Sequence, residues 1–184
     1  MSVGVCDNSE ERMRYHNITK DDMLNGDGLR AVLWVSGCEH ACPGCQNPVT
    51  WDENSGLVFD ESAKAELWEI LGKSHISGLT FTGGDPLHPA NVREITLLAM
   101  EVKQAFPGKT IWLYTGDVWD DVCQLEIMKY VDVLVDGPFV MSKKDLTLRF
   151  RGSSNQRLID VPASLREEQI VLWEDWQGSG RSMK

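Results

Sequence analysis

Three cysteines crowded into one short segment are the residues of this chain best suited to chemistry. Cys38, Cys42 and Cys45 lie within eight residues, with three residues between the first two and two between the second pair. The chain holds five cysteines in all, the others being Cys6 and Cys123, and an odd number argues against a disulfide framework. Because thiolates are strong ligands for soft metals, this segment predicts a metal site.

Two kinds of metal site fit this spacing. Structural zinc would use the three thiolates and His40 in a closed tetrahedron, although all four ligands would then come from one cramped loop. A 4Fe-4S cluster ordinarily has four thiolate ligands, and a cluster held by three cysteines leaves one iron open to bind a substrate. Pro43 and Gly44 suit the tight reversals that aim several sulfurs at one point. The spacing favours the iron–sulfur cluster and leaves zinc open.

Glycines and an aspartate follow the next β-rich segment. Gly83, Gly84, Asp85 and Pro86 come directly after the run Ser77–Thr82. Two glycines let a backbone approach a ligand closely, and Asp85 offers an acceptor for an ammonium group. The same four residues also suit a plain strand-to-helix turn.

Two more polar positions end later β-rich segments. Thr115 precedes Gly116, and Asp136 precedes Gly137. Asp136 could hold a cofactor hydroxyl, a cation or a neighbouring backbone amide. An aspartate before a glycine is also a common turn former, so both interpretations stay open.

Alternating strands and helices must position these residues. Apolar and β-branched runs that end in glycine predict strands, and apolar residues spaced by three and four predict helices. The predicted central strands are Arg30–Ser36, Ser77–Thr82, Thr110–Thr115 and Val131–Val135, and the predicted helices are Glu61–Leu71, Pro89–Phe106 and Trp119–Tyr130. Nearer the ends we expect an edge strand at Met13–Thr19 and short late strands at Thr147–Phe150, Arg157–Val161 and Ile170–Trp173. This order predicts an α/β fold whose parallel sheet is either a curved, incomplete barrel or open, with ligands at the carboxyl ends of its strands.

Composition narrows the class of protein. A chain of 184 residues that is 42% hydrophobic predicts a single domain over 1–184, with loose tails at about 1–11 and 179–184. The net charge of −10, with lysine and arginine scattered, argues against a nucleic-acid partner. No apolar run approaches the roughly 20 residues that span a bilayer, and the N-terminus lacks the pattern of a secretory signal. We therefore expect a soluble, cytoplasmic protein with no membrane partner.

The cysteine spacing after a predicted strand resembles that of the radical S-adenosylmethionine superfamily. The resemblance implies a partial (βα) barrel with a parallel curved sheet and outer helices. It implies that Cys38, Cys42 and Cys45 hold a 4Fe-4S cluster whose open iron binds S-adenosylmethionine. In the superfamily a Gly-Gly-Glu-Pro segment holds the methionine half of that cofactor, and here Asp85 replaces the glutamate. The implied cofactor-binding residues are therefore Gly83, Gly84, Asp85 and Pro86, with Thr115 and Asp136 as further candidates.

Longer segments are similar to those of activating proteins of anaerobic ribonucleoside-triphosphate reductases. These segments are Gly37–Trp51, Leu113–Gly116, Asp132–Phe139 and Arg151–Asp160, within a likeness that extends from about Met13 to about Trp173. The implied activity is that of an oxidoreductase, which cleaves S-adenosylmethionine reductively to a 5′-deoxyadenosyl radical and generates a glycyl radical on the reductase. The implied partners are the reductase and a flavodoxin- or ferredoxin-like electron donor. No catalytic side chain is implied, because the radical arises on the cofactor.

Other hypotheses remain at this stage. The chain could activate a different glycyl-radical enzyme, modify a small molecule, or act as a non-catalytic zinc- or iron-binding interaction module. Arg149, Arg151 and Arg157 are candidates for partner or cofactor contact, or else belong to a solvated hairpin. His40 and Trp51 match family positions without an assigned role, and Cys6 and Cys123 are expected to be bystanders.

Overall fold

The computed structural model describes residues 12–174, which form a mixed α/β fold. In chain order the elements are β1 (Arg14–Asp22), β2 (Leu29–Val35), β3 (Leu57–Val58), α1 (Glu61–Leu71), β4 (Ile76–Gly83), α2 (Val92–Ala105), β5 (Thr110–Tyr114), α3 (Trp119–Val122), β6 (Val133–Asp136), β7 (Arg157–Asp160) and α4 (Val161–Glu167). Short 3-10 helices occupy Pro48–Thr50, Glu126–Lys129 and Met141–Lys143. Cys6 and the two predicted tails lie outside the described residues.

One sheet holds the seven strands in the order β3-β1-β2-β4-β5-β6-β7. Its centre is parallel, since β2 pairs with β4, β4 with β5, and β5 with β6 in the same direction. β1 runs antiparallel to β2 and β3, and β7 runs antiparallel to β6. The predicted α/β fold with a parallel central sheet is thus confirmed. Because the four parallel strands point the same way, their carboxyl ends and the loops that follow share one side of the sheet, here called the carboxyl edge.

Helices α1 and α2 cover one face of the sheet. α1 begins after Asp60, whose side chain accepts hydrogen bonds from the N–H groups of Ser62 and Ala63 and so caps the helix. The apolar stripes of both helices bury against alternate residues of the strands, and each buried large side chain contributes about 1.5–3 kcal/mol. The core on this face includes Leu33, Leu67, Ile70, Leu79, Phe81, Ile95, Leu98, Ile111 and Leu113.

The opposite face of the sheet carries a smaller aromatic cluster. Trp112 of β5 packs edge-on against Phe150 and Trp173, with ring centroids 5.2 and 5.0 Å away. Arg30 of β2 is fully buried beside it, with its guanidinium carbon 5.4 Å from the centroid of the Trp112 ring. The guanidinium donates hydrogen bonds to the Thr80 hydroxyl and to oxygens of three other residues. Burial nevertheless lowers the pKa of Arg30 to about 10.

Two sequence predictions of regular structure are wrong. The predicted helix Trp119–Tyr130 is broken, because α3 ends at Val122 and a separate 3-10 helix follows from Glu126. The buried residues there are Trp119, Val122, Ile127 and Met128, a spacing that a single α-helix does not place on one face. The predicted strand Thr147–Phe150 is a turn, and Thr147 is exposed.

The sequence did not predict β3 or α4, and it predicted the late strands only in part. β3 pairs with β1, so β1 is not the edge of the sheet. Where a late strand was expected, only Arg157–Asp160 is a strand, and α4 begins at Val161. The expected strand Ile170–Trp173 is reduced to one antiparallel bridge between Leu172 and Ile159. No helix within residues 12–174 is long and apolar enough to cross a membrane.

Candidate metal centre

The predicted site residues meet at the carboxyl edge. The loop with the three cysteines follows β2, Gly84–Pro86 follow β4, Thr115 follows β5, and Asp136 ends β6. The N–H of Asp85 donates to the carbonyl of Gly37 at 2.7 Å, which joins the β4 end to the cysteine loop. The hydroxyl of Thr115 donates to Asp85 Oδ2 at 2.8 Å, which joins the β5 end to the β4 end. The N–H of Gly137 donates to the carbonyl of Asp117 at 2.7 Å, which joins the β6 end to the segment after β5, so direct hydrogen bonds connect all four strand ends.

Backbone hydrogen bonds close the cysteine loop, residues 37–51, at its base. The N–H of Gly37 donates to the carbonyl of Thr50 at 2.8 Å, and the N–H of Cys38 donates to the carbonyl of Trp51 at 3.0 Å. Inside the loop Gly44 has a φ of +76°, a conformation that favours glycine. The chain between these paired ends turns back on itself and keeps the three cysteines in one place.

The three thiols are half-buried and free of disulfides. Burial raises the pKa of the Cys38 thiol, a backbone hydrogen bond from His40 opposes that rise, and the charges of Asp85, Cys42 and Cys45 raise the pKa further. The site thus disfavours additional negative charge. A bound cation reverses this effect, because a thiol that coordinates a metal is deprotonated outright. The loop is electrostatically complementary to a positively charged group.

The donor arrangement bears on the zinc hypothesis. In a tetrahedral zinc site with Zn–S distances of about 2.3 Å, the sulfurs lie about 3.8 Å apart. Among residues 12–174, the three ligand atoms that lie within 4.8 Å of one another come from His40, Asp85 and Asp117, and the cysteine sulfurs do not form such a set. His40 Nε2 is also engaged, since it donates to Asp85 Oδ2 at 2.6 Å. These four side chains thus do not form a preassembled zinc tetrahedron, and the loop offers three free thiols of the kind that bind iron–sulfur clusters.

Asp85 is the polar centre of the carboxyl edge. Its side chain is almost fully buried, with 3% exposed. Oδ2 accepts hydrogen bonds from His40 Nε2, from the Thr115 hydroxyl and from the N–H of Gly116, the last at 3.0 Å. Oδ1 accepts from the N–H of Leu87 at 2.8 Å. The hydrogen bond to this carboxylate raises the pKa of His40, which favours an imidazolium–carboxylate pair.

Two glycines at this edge make room for protein neighbours. A β-carbon on Gly84 would lie 2.4 Å from the carbonyl oxygen of Gly37, at the start of the cysteine loop. A β-carbon on Gly116 would lie 2.3 Å from Cδ2 of His40. The sequence interpretation attributed the glycine pair after β4 to close approach of a ligand. The structure gives Gly84 a second reason, which is close approach of two loop backbones.

Asp136 is engaged by protein groups as well. It is 1% exposed and accepts a hydrogen bond from the N–H of Trp119 at 2.9 Å. Two nitrogens of the Arg157 guanidinium also donate to it, Nε to Oδ1 at 3.0 Å and Nη2 to Oδ2. Among the open interpretations, the structure thus supplies a backbone amide partner for Asp136. It adds Arg157, for which the sequence had left open a partner or cofactor contact or a place in a solvated hairpin.

One buried residue of this edge has no motif that marks it in the sequence. The side chain of Asn91 donates to the carbonyl of Ser36 at 2.7 Å and to the carbonyl of Asp85 at 2.9 Å. It thereby fixes the end of β2 against the β4 turn. In the sequence, only the position of Asn91 directly before an amphipathic helix could have drawn attention to it, because asparagine is a preferred N-cap residue. In the structure its side chain does not cap that helix.

The fold and the cysteine loop define an iron–sulfur protein. The family described as "4Fe-4S single cluster domain" matches residues 24–159, which covers the loop and the whole parallel sheet. Curated relatives narrow the class. A protein of Enterobacteria phage T4 is 49% identical over 148 residues, which is 79% of this chain and 93% of the relative. Proteins of Escherichia coli K12 and Vibrio cholerae are 43% and 40% identical, each over 78% of this chain and 96% of the relative.

All three relatives are named anaerobic ribonucleoside-triphosphate reductase-activating protein. At this identity and coverage, the chain belongs to the family of anaerobic ribonucleoside-triphosphate reductase-activating proteins. The resemblance drawn from the cysteine segment and the later segments is therefore confirmed.

Proposed function

We propose that this protein activates an anaerobic ribonucleoside-triphosphate reductase by generating a glycyl radical on it, as an oxidoreductase of the radical S-adenosylmethionine type. The observation that carries the proposal is the loop of three free cysteines at the carboxyl edge, in a chain whose relatives are named as activators of that reductase. When bound, a 4Fe-4S cluster would supply the electron that cleaves S-adenosylmethionine to a 5′-deoxyadenosyl radical. The parallel sheet and its helices are compatible with a partial (βα) barrel.

Cys38, Cys42 and Cys45 would ligate three irons and leave the fourth without a protein ligand. This arrangement is supported by the three free thiols in one loop and by the engagement of His40 with Asp85. The open iron would then accept the amino and carboxylate groups of S-adenosylmethionine.

The other edge residues would shape the cofactor site from the protein side. Gly83–Pro86 would present their backbone to the methionine half, since both oxygens of Asp85 already accept hydrogen bonds from protein donors. Thr115 would order this backbone through its hydrogen bond to Asp85. Asp136 would hold the β6 end in place through Arg157. The reductase and a flavodoxin- or ferredoxin-like donor would be the partners.

The first experiment compares single cysteine variants after anaerobic reconstitution with iron and sulfide. We expect about four irons per chain in the unsubstituted protein and a large loss of iron in Cys38→Ala, Cys42→Ala and Cys45→Ala. Cys123→Ala is the matched control, because that half-buried thiol directly follows α3 and is not in the cysteine loop. Full iron content in any of the three loop variants would refute the ligand assignment.

The second experiment follows the reaction. With dithionite and S-adenosylmethionine, the reconstituted protein should form 5′-deoxyadenosine. With the reductase added, electron paramagnetic resonance should detect a glycyl radical on the reductase. Absence of 5′-deoxyadenosine from fully loaded protein would overturn the proposed chemistry, and 5′-deoxyadenosine without a glycyl radical would overturn the proposed acceptor.

A further inference from the structure

A basic segment follows β6 in an otherwise acidic protein. The chain has 28 acidic and 18 basic residues, for a net charge of −10. Residues 141–156, here called the basic loop, hold Lys143, Lys144, Arg149 and Arg151 against a single acidic residue, Asp145. Both lysines and Arg149 are exposed. The charge of this loop is therefore opposite in sign to that of the whole molecule.

The basic loop is held in shape by its own hydrogen bonds. The N–H of Ser154 donates to the carbonyl of Lys143 at 2.9 Å, and Lys144 forms an antiparallel bridge with Ser153. Ser153 is fully buried, and its hydroxyl accepts a hydrogen bond from the N–H of Val140 at 3.2 Å. Arg151 donates to the carbonyl of Gln156 at 2.8 Å. The loop thus presents its lysines from a defined backbone, which lowers the entropy cost of binding a partner there.

The basic loop touches the cysteine loop. The side chain of Met141 lies over Gly44, so closely that a β-carbon on Gly44 would be 2.0 Å from Met141 Cε. Gly44 is the residue directly before Cys45, and Lys143 follows Met141 by two positions. Met141 and Leu146 are 50% and 86% exposed beside the lysines. A protein that binds the basic loop would stand next to the proposed cluster.

Exposed carboxylates lie in and beside the cysteine loop. The side chains of Glu39, Glu53 and Asp117 are 82%, 50% and 40% exposed. These carboxylates repel an acidic protein, whereas the basic loop attracts it. Because electrostatic complementarity directs encounters and fixes orientation, the basic loop is the favourable approach to this edge for an acidic partner.

We propose that the basic loop is the docking surface for an acidic one-electron carrier protein of the flavodoxin or ferredoxin type, an inference that rests on the proposed function. In the encounter one electron leaves the reduced centre of the carrier, which is oxidised by one electron. The same electron enters the 4Fe-4S cluster, which is reduced by one. Met141 belongs to this docking surface and packs on Gly44, the residue before Cys45.

The composition of the surface favours a transient carrier over the reductase as its occupant. Lysine is depleted from the cores of stable interfaces, where aromatic and arginine side chains supply most of the binding energy. Electron-transfer encounters instead use small, charged surfaces that bind weakly and release quickly. Lys143 and Lys144 are adjacent and exposed, which suits the second kind of contact.

The test replaces both lysines in the full chain. Binding of a purified flavodoxin is measured by the fluorescence of its flavin, at low and at high salt, for the unsubstituted protein, Lys143→Gln/Lys144→Gln, and the control Lys20→Gln/Lys129→Gln. The control removes the same charge from exposed lysines near the amino ends of the parallel strands. We expect about tenfold weaker binding for the loop variant at low salt, less than about twofold for the control, and a smaller difference at high salt.

Activity separates this inference from the function on which it rests. With dithionite, a small reductant that needs no docking surface, the loop variant should form 5′-deoxyadenosine as fast as the unsubstituted protein. With reduced flavodoxin it should be slower by about the factor lost in binding. Failure of the unsubstituted protein with dithionite refutes the proposed function itself. Equal flavodoxin binding by both lysine variants, or loss of reductase binding in place of flavodoxin binding, overturns the assignment of the loop.

Discussion

Substitution of Asp85 by asparagine tests whether this carboxylate holds the carboxyl edge together. Asp85 accepts four hydrogen bonds, three at Oδ2 and one at Oδ1. Asparagine keeps one acceptor oxygen and places an N–H₂ group where the second oxygen was. Whichever way the amide turns, at least one buried donor among His40, Thr115, Gly116 and Leu87 then faces another donor.

The cost follows from these contacts. A buried donor left without a partner costs about 1–3 kcal/mol, and loss of the charge that strengthens the His40 hydrogen bond adds about 1 kcal/mol. We therefore expect Asp85→Asn to reduce the free energy of unfolding by about 3 kcal/mol. In a chain of this length, that corresponds to a fall in melting temperature of about 6–12 °C.

The assay is thermal unfolding of the metal-free protein under reducing conditions, followed by circular dichroism. Asp117→Asn is the matched control, because its carboxylate is 40% exposed and lies 3.8 Å from His40 Nε2. That control should shift the melting temperature by no more than about 2 °C. If Asp85→Asn has the same melting temperature as Asp117→Asn, the Asp85 carboxylate does not hold the three loops together, and the reasoning is refuted.

Three further substitutions test the packing around the site. Gly84→Ala should lower the free energy of unfolding in urea by about 2–3 kcal/mol, because its β-carbon would lie 2.4 Å from a carbonyl oxygen. The control Gly108→Ala should have no such cost, since a β-carbon there would have no atom within 4 Å. Equal urea midpoints for the two variants would contradict the structure. Arg157→Gln should lower the free energy of unfolding by about 2 kcal/mol in the same assay. The loss is smaller than for a fully buried ion pair, because the Arg157 side chain that pairs with Asp136 is 37% exposed. An unchanged urea midpoint would show that the ion pair adds no stability. Arg30→Lys should lower the free energy of unfolding by about 2–4 kcal/mol, since a lysine ammonium cannot reproduce the planar set of donors; a thermal melt matching the unsubstituted protein would exclude this role for the guanidinium.

Much of the central architecture was predictable from local patterns. The helix Glu61–Leu71 was predicted with the bounds that the structure gives, because its apolar stripe covers those residues, and the structure adds the Asp60 cap at its start. The parallel strands were predictable from apolar runs that end in glycine, since strands covered on both faces carry such runs. Their parallel order then placed the cysteine loop, Asp85 and Thr115 at one edge before any contact was known.

The ends of the chain were harder because their structure depends on partners distant in sequence. α4 had local signals in Asp160, whose side chain caps it, and in Pro162 in its first turn. These signals overlap the strand pattern of Arg157–Val161, which therefore concealed the helix. β3 has only two residues, and its pairing with β1 is its sole support. Nothing in the sequence pairs His40 with Asp85, 45 residues away, because that contact depends on how two loops fold.

The His40–Asp85 contact changes what the aspartate does at this edge. In the sequence interpretation the Asp85 carboxylate was an acceptor for an ammonium group, but both of its oxygens accept hydrogen bonds from the protein itself. On the proposed function, recognition of the methionine ammonium then falls to backbone oxygens of Gly83–Pro86. The carboxylate instead fixes the position of that backbone relative to the cysteine loop, because His40 belongs to the loop and Asp85 to the β4 turn. Ligation of the cluster and binding of the cofactor would therefore depend on one shared buried contact.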